Sequence, residues 1–325
     1  MPQSRIGQNG PVTSWAEIEA GSPPSNASRN ARVAAESQSA KPLTVRLRRS
    51  ERLVIGSIDV AAHVFQRRAR HVLLGAAVFM VPLVALYLLL TVLAFDKYQQ
   101  FDSLLGDRGY VGVETGFVLL GLVVQSLTAH LIGAYTAAYL VPYQMGGDPR
   151  AGECIRRVLR KLPVLLVTWA LTHWPTLLIL WWFVTIAPAD VVAVAWVIVP
   201  LVAMITAAWL VVAPVVMIEQ LGVRSIGRAW RLTRTRFGAA FGFVFACAVL
   251  GAMLGAFIAF LPPAAESTGI ITFGSFGWLV QGVTTQLAAL IVLPFVAIAT
   301  AQMYMQLRVQ VEGLDIVIAA DRAFT

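Results

Sequence analysis

Charged side chains are rare in this sequence: Asp, Glu, Lys and Arg make up only 13% of its 325 residues. The chain has two cysteines, Cys154 and Cys247, whose positions suggest neither a disulfide nor a metal site. Its four histidines lack the HExxH spacing, and neither a GxSxG motif nor a GK[ST] phosphate loop is present. These absences predict a protein that is not an enzyme and that uses no metal or cofactor.

Apolar residues make up 58% of the chain, and the mean hydropathy is +0.73. At about 1.5 Å per residue, six of its apolar stretches are long enough to cross a hydrocarbon core of about 30 Å. None contains Asp, Glu, Lys or Arg, so a proton or sodium relay based on carboxylates has no support. We predict an all-α membrane protein with six transmembrane helices, at Val72–Phe95, Gly116–Val141, Pro163–Ala187, Val191–Ile218, Phe237–Leu261 and Trp278–Tyr304.

Basic residues are concentrated on one side of the predicted topology. Of the 25 Lys and Arg residues, only Lys97 and Arg108 fall on the other side. By the positive-inside rule, both termini and both basic loops should face the cytoplasm of a multi-pass protein in a bacterial inner membrane. A net charge of +8 in a soluble protein would suggest nucleic-acid binding. Segments tied to a bilayer already account for this charge, so we predict no nucleic-acid partner.

Residues 1–48 form a separate region in composition, rich in Ser, Ala, Pro, Asn, Gln and Arg, with Trp15 as their only aromatic residue. Such a segment cannot bury enough apolar surface to fold, so we predict a disordered cytoplasmic tail. Residues 49–325 then form the transmembrane domain and a short cytoplasmic C-terminal tail. The first 70 residues contain no apolar core typical of a secretory signal, so we expect the first span to start insertion.

Three segments, starting near Ile58, Ile155 and Ile226, place apolar residues on one helical face and polar or basic residues on the other. This pattern predicts three hairpins, each preceded by a cytoplasmic amphipathic interfacial helix. Chance basic flanks on three helices remain the alternative. The basic faces should contact the bilayer, with anionic phospholipids as the expected partners. Their residues are Arg67, Arg70, Arg156, Arg157, Arg160, Arg224, Arg228, Arg231 and Arg234.

Four polar residues near the middle of predicted spans allow two interpretations: Gln125, His130, His173 and Gln281. Such side chains commonly hydrogen-bond across helices, and we favour that structural role. They could instead form a midplane polar site of a small permease. A polar cavity lined by all four would favour the permease, whereas a dry, packed interior would favour a structural role.

Small residues recur at four-residue spacing in the fifth span, which allows close helix contact. The contact could lie within the chain or form a homodimer, through Gly238, Gly242, Gly251 and Gly255.

Glu219 follows Pro214 by five residues, where a proline bends the chain toward the basic helix. We predict that Glu219 pairs with Arg224 or Arg228; a solvated loop charge is the alternative.

Three stretches resemble a family of bacterial six-span membrane proteins related to the membrane domain of some glycerophosphoryl diester phosphodiesterases. They are "ERLVIGSIDVAAHVFQRRARHVLLGAAVFMVPL", "APVVMIEQLGVRSIGRAWRLTRTRFGAAFG" and "MYMQLRVQVEGLDI". The matching motif residues are Pro214, Glu219, Arg308, Glu312 and Asp315. In the phosphodiesterases a separate soluble barrel carries catalysis, and this chain has no room for one. The resemblance therefore implies a membrane domain without hydrolase activity.

These observations favour a non-enzymatic integral membrane protein that serves as a scaffold or accessory subunit of a membrane assembly. Other membrane proteins, or a second copy of the chain, are its expected protein partners. The alternative is a small permease or transporter with the midplane site described above.

Overall fold

The computed structural model describes residues 53–144, 147–186, 191–269, 271–272 and 277–314. Side chains inside helices are not described at 91–118, 183–196, 259, 277–279, 281–282 and 285. The tail predicted at residues 1–48 and the motif residue Asp315 therefore lie outside the described part of the chain. The same is true of the Gln281 side chain.

The described residues form helices and contain no β-strand. Six segments are long and apolar enough to cross a membrane: Leu53–Leu90, Leu119–Gln144, Leu162–Trp182, Val197–Ile218, Phe237–Ser267 and Gln286–Glu312. The predicted all-α class with six candidate spans is therefore confirmed. The helices are α1 (Leu53–Gln144), α2 (Ala151–Arg160), α3 (Leu162–Ile186), α4 (Val191–Ala208), α5 (Val212–Ile218), α6 (Ser225–Arg234), α7 (Phe237–Ser267) and α8 (Gly277–Glu312).

Helix α1 departs from the sequence expectation in two ways. Its backbone stays helical through residues 96–115, which lie between the predicted spans Val72–Phe95 and Gly116–Val141. That stretch contains no proline, so nothing in it removes a helical N–H donor. The segment near Ile58 is continuous with the first span and does not form a separate helix, because no helix-breaking residue divides them before Pro82.

The two spans inside α1 lie against each other. The Tyr135 hydroxyl donates a hydrogen bond of 2.9 Å to the His71 carbonyl oxygen, and a β-carbon on Gly121 would lie 3.2 Å from the Tyr87 hydroxyl. Helix α1 is therefore not a single straight rod. Further along the chain, α3 contacts α4, and α7 contacts α8.

Burial is concentrated at one end of the bundle, which we call the basic end. It contains α2, α6 and the C-terminal end of α8. Here residues 298–307 of α8 and 131–141 of α1 are almost entirely buried against α5. Toward the opposite end, large apolar side chains point outward: Phe257 and Phe260 of α7 are 68% and 67% exposed. In a spanning protein this apolar surface is where lipid or another apolar helix packs.

The fourth span is broken at residues 209–211, three residues before Pro214. The Val212 N–H donates to Trp209, so the Ala208 carbonyl loses its usual helical donor. The Thr233 hydroxyl of α6 replaces it with a 2.9 Å hydrogen bond. The Lys161 ammonium donates to the carbonyl oxygen of Val216, 3.0 Å away, near the end of α5. The α6 side chain therefore satisfies a backbone group exposed by the break, and Lys161 satisfies one at the C-terminal end of α5.

Candidate functional site

Two histidines from different helices meet at the middle of the bundle. The ring centroids of His130 on α1 and His173 on α3 are 5.5 Å apart, with the rings almost perpendicular. His173 Nδ1 lies 3.2 Å from the Trp169 carbonyl oxygen and 3.0 Å from the Thr172 hydroxyl. A carbonyl can only accept a hydrogen bond, so this geometry places the proton on Nδ1 and leaves Nε2 as an acceptor.

A cavity of about 150 Å³ adjoins both rings. We call it the histidine pocket; its polar lining is His130, His173, Thr172, Thr176, Thr206 and Thr300. The two histidines of the predicted midplane site are therefore brought together. Gln125 is placed elsewhere, since it lines two neighbouring cavities of about 530 and 240 Å³. The midplane site of four residues stays a prediction, and the side chain of Gln281 lies outside the described part of the structure.

The threonines that line the histidine pocket were not predicted as site residues. Thr206 and Thr300 lie in long apolar stretches, where a single hydroxyl draws little attention, yet both line the histidine pocket. Their position along the span could have identified them, because each threonine lies near the middle of its span, as His130 and His173 do. Among the described residues, no group of three or more His, Cys, Asp and Glu side chains could hold a metal ion.

A second cluster lies at the basic end and joins α6 to α8. Arg228 Nε is 2.7 Å from a carboxylate oxygen of Glu219, and Arg228 also forms an ion pair with Glu312. Arg308 Nε lies 3.1 Å from Glu312, and the Tyr304 hydroxyl donates to Glu219 at 3.0 Å. The predicted pairing of Glu219 is confirmed for Arg228. The residues that the family motif singled out, Glu219, Arg308 and Glu312, are brought together here.

Burial makes this cluster stronger than an ordinary surface pair. The side chains of Arg228 and Glu219 are only 20% and 13% exposed. Burial acts to lower the pKa of Arg228, but hydrogen bonds and charges from Glu219 and Glu312 outweigh it, so the net effect raises that pKa. Arg228 therefore stays charged and paired, and the cluster fixes α6 against the end of α8.

Arg228 is the exception among the basic residues predicted to face lipid. Its helical position is on the polar face of α6, but Glu219 and Glu312 lie close enough to hold its guanidinium inside the protein. The other eight are exposed: Arg67, Arg70, Arg156, Arg157, Arg160, Arg224, Arg231 and Arg234. On α2 the opposite face is buried through Cys154 and Val158, and on α6 through Ala229 and Leu232.

The glycines of α7 do not share one environment. A β-carbon on Gly251 would lie 3.2 Å from Val292 of α8, so this glycine serves a contact within the chain. A β-carbon on Gly238, Gly242 or Gly255 would meet nothing within 4 Å. The homodimer contact predicted through these residues stays a prediction.

No family model, curated protein or solved structure matches this chain. The resemblance to the membrane domain of the phosphodiesterases therefore stays a prediction.

Proposed function

We propose that this chain is a non-enzymatic integral protein of a bacterial inner membrane that serves as a scaffold or accessory subunit. Its six spans form three hairpins, and the basic end faces the cytoplasm. The proposal rests on how the arginines are arranged at the basic end. Internal ion pairs hold Arg228 and Arg308, while the neighbouring arginines of α2 and α6 stay exposed on helices packed against the core.

This arrangement is better suited to binding a partner surface than to catalysing a reaction. Because α6 is fixed through Glu219 and Glu312, its exposed arginines are held on a stable surface. A stable charged surface binds anionic lipid headgroups or an acidic partner surface without a large ordering cost. The basic faces of α2 and α6 act as interfacial segments in this proposal.

Site-specific photocrosslinking in native membranes tests the proposal. A photoreactive amino acid replaces Arg157 or Arg231 at the basic end, and Met253, which is 65% exposed on α7, provides the control. We expect a discrete protein adduct from the two basic-end positions and none from Met253. Lipid adducts alone at Arg157 and Arg231 would contradict the scaffold function. An adduct with the mass of two chains would identify the partner as a second copy.

A small permease is the second candidate, and the shared cavity of His130 and His173 favours it. The pocket is small, and none of its described lining residues is Asp, Glu, Lys or Arg. A permeating solute would therefore be small and neutral. Proteoliposomes containing the wild-type chain should then take up small neutral solutes such as urea or glycerol faster than protein-free vesicles, and His173→Phe should abolish the difference. Identical uptake by both vesicle types would contradict this candidate.

A further inference from the structure

The largest of these cavities is an apolar groove beside the histidine pocket. It has a volume of about 530 Å³ and runs along α7 from Phe243 to Ala256, with α8 on its other side. At about 1.5 Å per residue, this stretch of α7 is about 20 Å long. Its lining includes small residues that leave room for a chain, among them Gly255, Ala256 and Ala288.

The groove and the histidine pocket are neighbours. Thr206, Leu210, Leu293 and Val296 line both, so the groove extends up to side chains that also line the pocket of the two histidines. The pocket adjoins the part of the groove near Leu210, whereas Gly255 and Ala288 lie farther toward the other end of the bundle. One ligand could place a polar group in the pocket and a hydrocarbon chain in the groove.

Charge restricts the kind of head group. None of the described residues that line either cavity is Asp, Glu, Lys or Arg. A phosphate or carboxylate would lose its hydration there without gaining a counterion, which is strongly unfavourable. A hydroxyl is different, because it can donate to the accepting Nε2 of His173 and accept from a threonine hydroxyl in the pocket.

We propose that the groove and the histidine pocket bind an uncharged single-chain lipid with a small hydroxyl head group, such as a long-chain alcohol. The head group occupies the pocket beside His173 and Thr206, and the chain extends along the groove on α7 as far as Gly255. The surrounding helices are candidate membrane spans, so such a lipid reaches the groove from the bilayer. This site is separate from the docking surface at the basic end.

Photolabelling of the full chain in phosphatidylcholine nanodiscs tests the proposal. The probe is hexadecanol with a diazirine near the end of its chain. We expect saturable labelling within residues 243–256 of α7 and 288–296 of α8, which unlabelled hexadecanol displaces. Hexadecyl sulfate, which keeps the chain but carries a permanent charge, should not displace it. Labelling that does not saturate, or equal displacement by the sulfate, would overturn the proposal.

Matched variants separate the chain site from the head-group site. Gly255 lines the groove and Gly242 does not, although both have open space at their β-carbon positions. We expect Gly255→Leu to lower probe affinity by about tenfold or more, since the side chain fills space that the lipid chain occupies. Gly242→Leu should leave the affinity unchanged. Equal affinity in these two variants would contradict the assignment of the chain site.

The head-group variants are Thr206→Val and His173→Phe. Each should lower the affinity for the hexadecanol probe by about tenfold, the effect of one lost hydrogen bond. Neither should change labelling by a diazirine-labelled hexadecane, which has no head group. If Thr206→Val and His173→Phe both leave hexadecanol affinity unchanged, the histidine pocket does not hold the head group and the proposal is wrong.

Discussion

The ring of Tyr135 fills the space beside Gly75, and a β-carbon on Gly75 would lie only 1.9 Å from that ring. Tyr135 is completely buried, and its hydroxyl donates to the His71 carbonyl oxygen one helical turn before Gly75. The two spans of α1 can approach this closely only because position 75 has no side chain.

Gly75→Ala should therefore destabilise the bundle, because the new methyl group and the Tyr135 ring cannot both keep their places. Relieving such an overlap in a packed core costs about 1 to 3 kcal/mol. We expect a clear fall in the apparent melting temperature of the purified protein in mild detergent. Gly242→Ala, whose β-carbon meets nothing within 4 Å, is the control and should melt as the wild type does. A Gly75→Ala protein of unchanged stability would show that these spans do not pack in this way.

Glu219→Gln should loosen the connection between α5 and α6. The change removes one carboxylate from a cluster in which Arg228 is only 20% exposed, so we expect a loss of about 2 kcal/mol. Hydrogen exchange between Gln220 and Arg228 should become faster, while expression stays intact. Glu153→Gln is the control, since its pair with Arg150 is exposed and contributes little. Unchanged exchange in Glu219→Gln would refute the role of the cluster.

Thr233→Val tests the repair of the broken fourth span. The substitution keeps the shape of the side chain but removes the hydroxyl that donates to Ala208, and leaves that half-buried carbonyl without this donor. We expect a loss of about 1 to 3 kcal/mol, measured as a lower melting temperature. Thr235→Val is the matched control, because Thr235 is exposed and its hydroxyl donates only to the Leu232 carbonyl oxygen of its own helix. Equal effects of the two changes would show that the hydroxyl of Thr233 is dispensable.

Replacing Arg224, Arg231 and Arg234 together with Gln should weaken the preference for anionic lipid. At about 1 kcal/mol for each charge near the surface, the total effect is about 3 kcal/mol. Vesicles with and without phosphatidylglycerol provide the comparison. Arg228→Gln alone should leave lipid preference unchanged and lower stability, because Arg228 pairs inside the protein. The same lipid preference in the triple variant would mean that these arginines contact something other than lipid.

The spans could be predicted from the sequence because their signal is local: each is an unbroken apolar stretch. The pairing of Glu219 with Arg228 was also accessible, since only nine residues separate them. The contribution of Tyr304 was not, because it lies 85 residues from Glu219 and its place in the cluster depends on how α8 packs.

Contacts between residues that are distant in sequence also limit what could be predicted about the sites. The exposure of Arg231 follows from helical periodicity alone, but the burial of Arg228 depends on Glu312, which is distant in sequence. His130 and His173 were singled out because ionisable groups stand out in apolar stretches. The groove beside them could not be predicted. It is lined by Gly and Ala residues, and whether such residues leave a cavity or allow a close contact depends on the neighbouring helix.

The central claim is a six-span protein whose basic end faces the cytoplasm, and cysteine labelling from one side of the membrane tests it most directly. Single cysteines are introduced into a background in which Cys154 and Cys247 are replaced by alanine. An impermeant maleimide added to the outside of intact cells should label positions 102, 190 and 266. It should reach positions 153, 224 and 322 only after the membrane is permeabilised. Labelling of position 153 or 224 in intact cells would contradict the account.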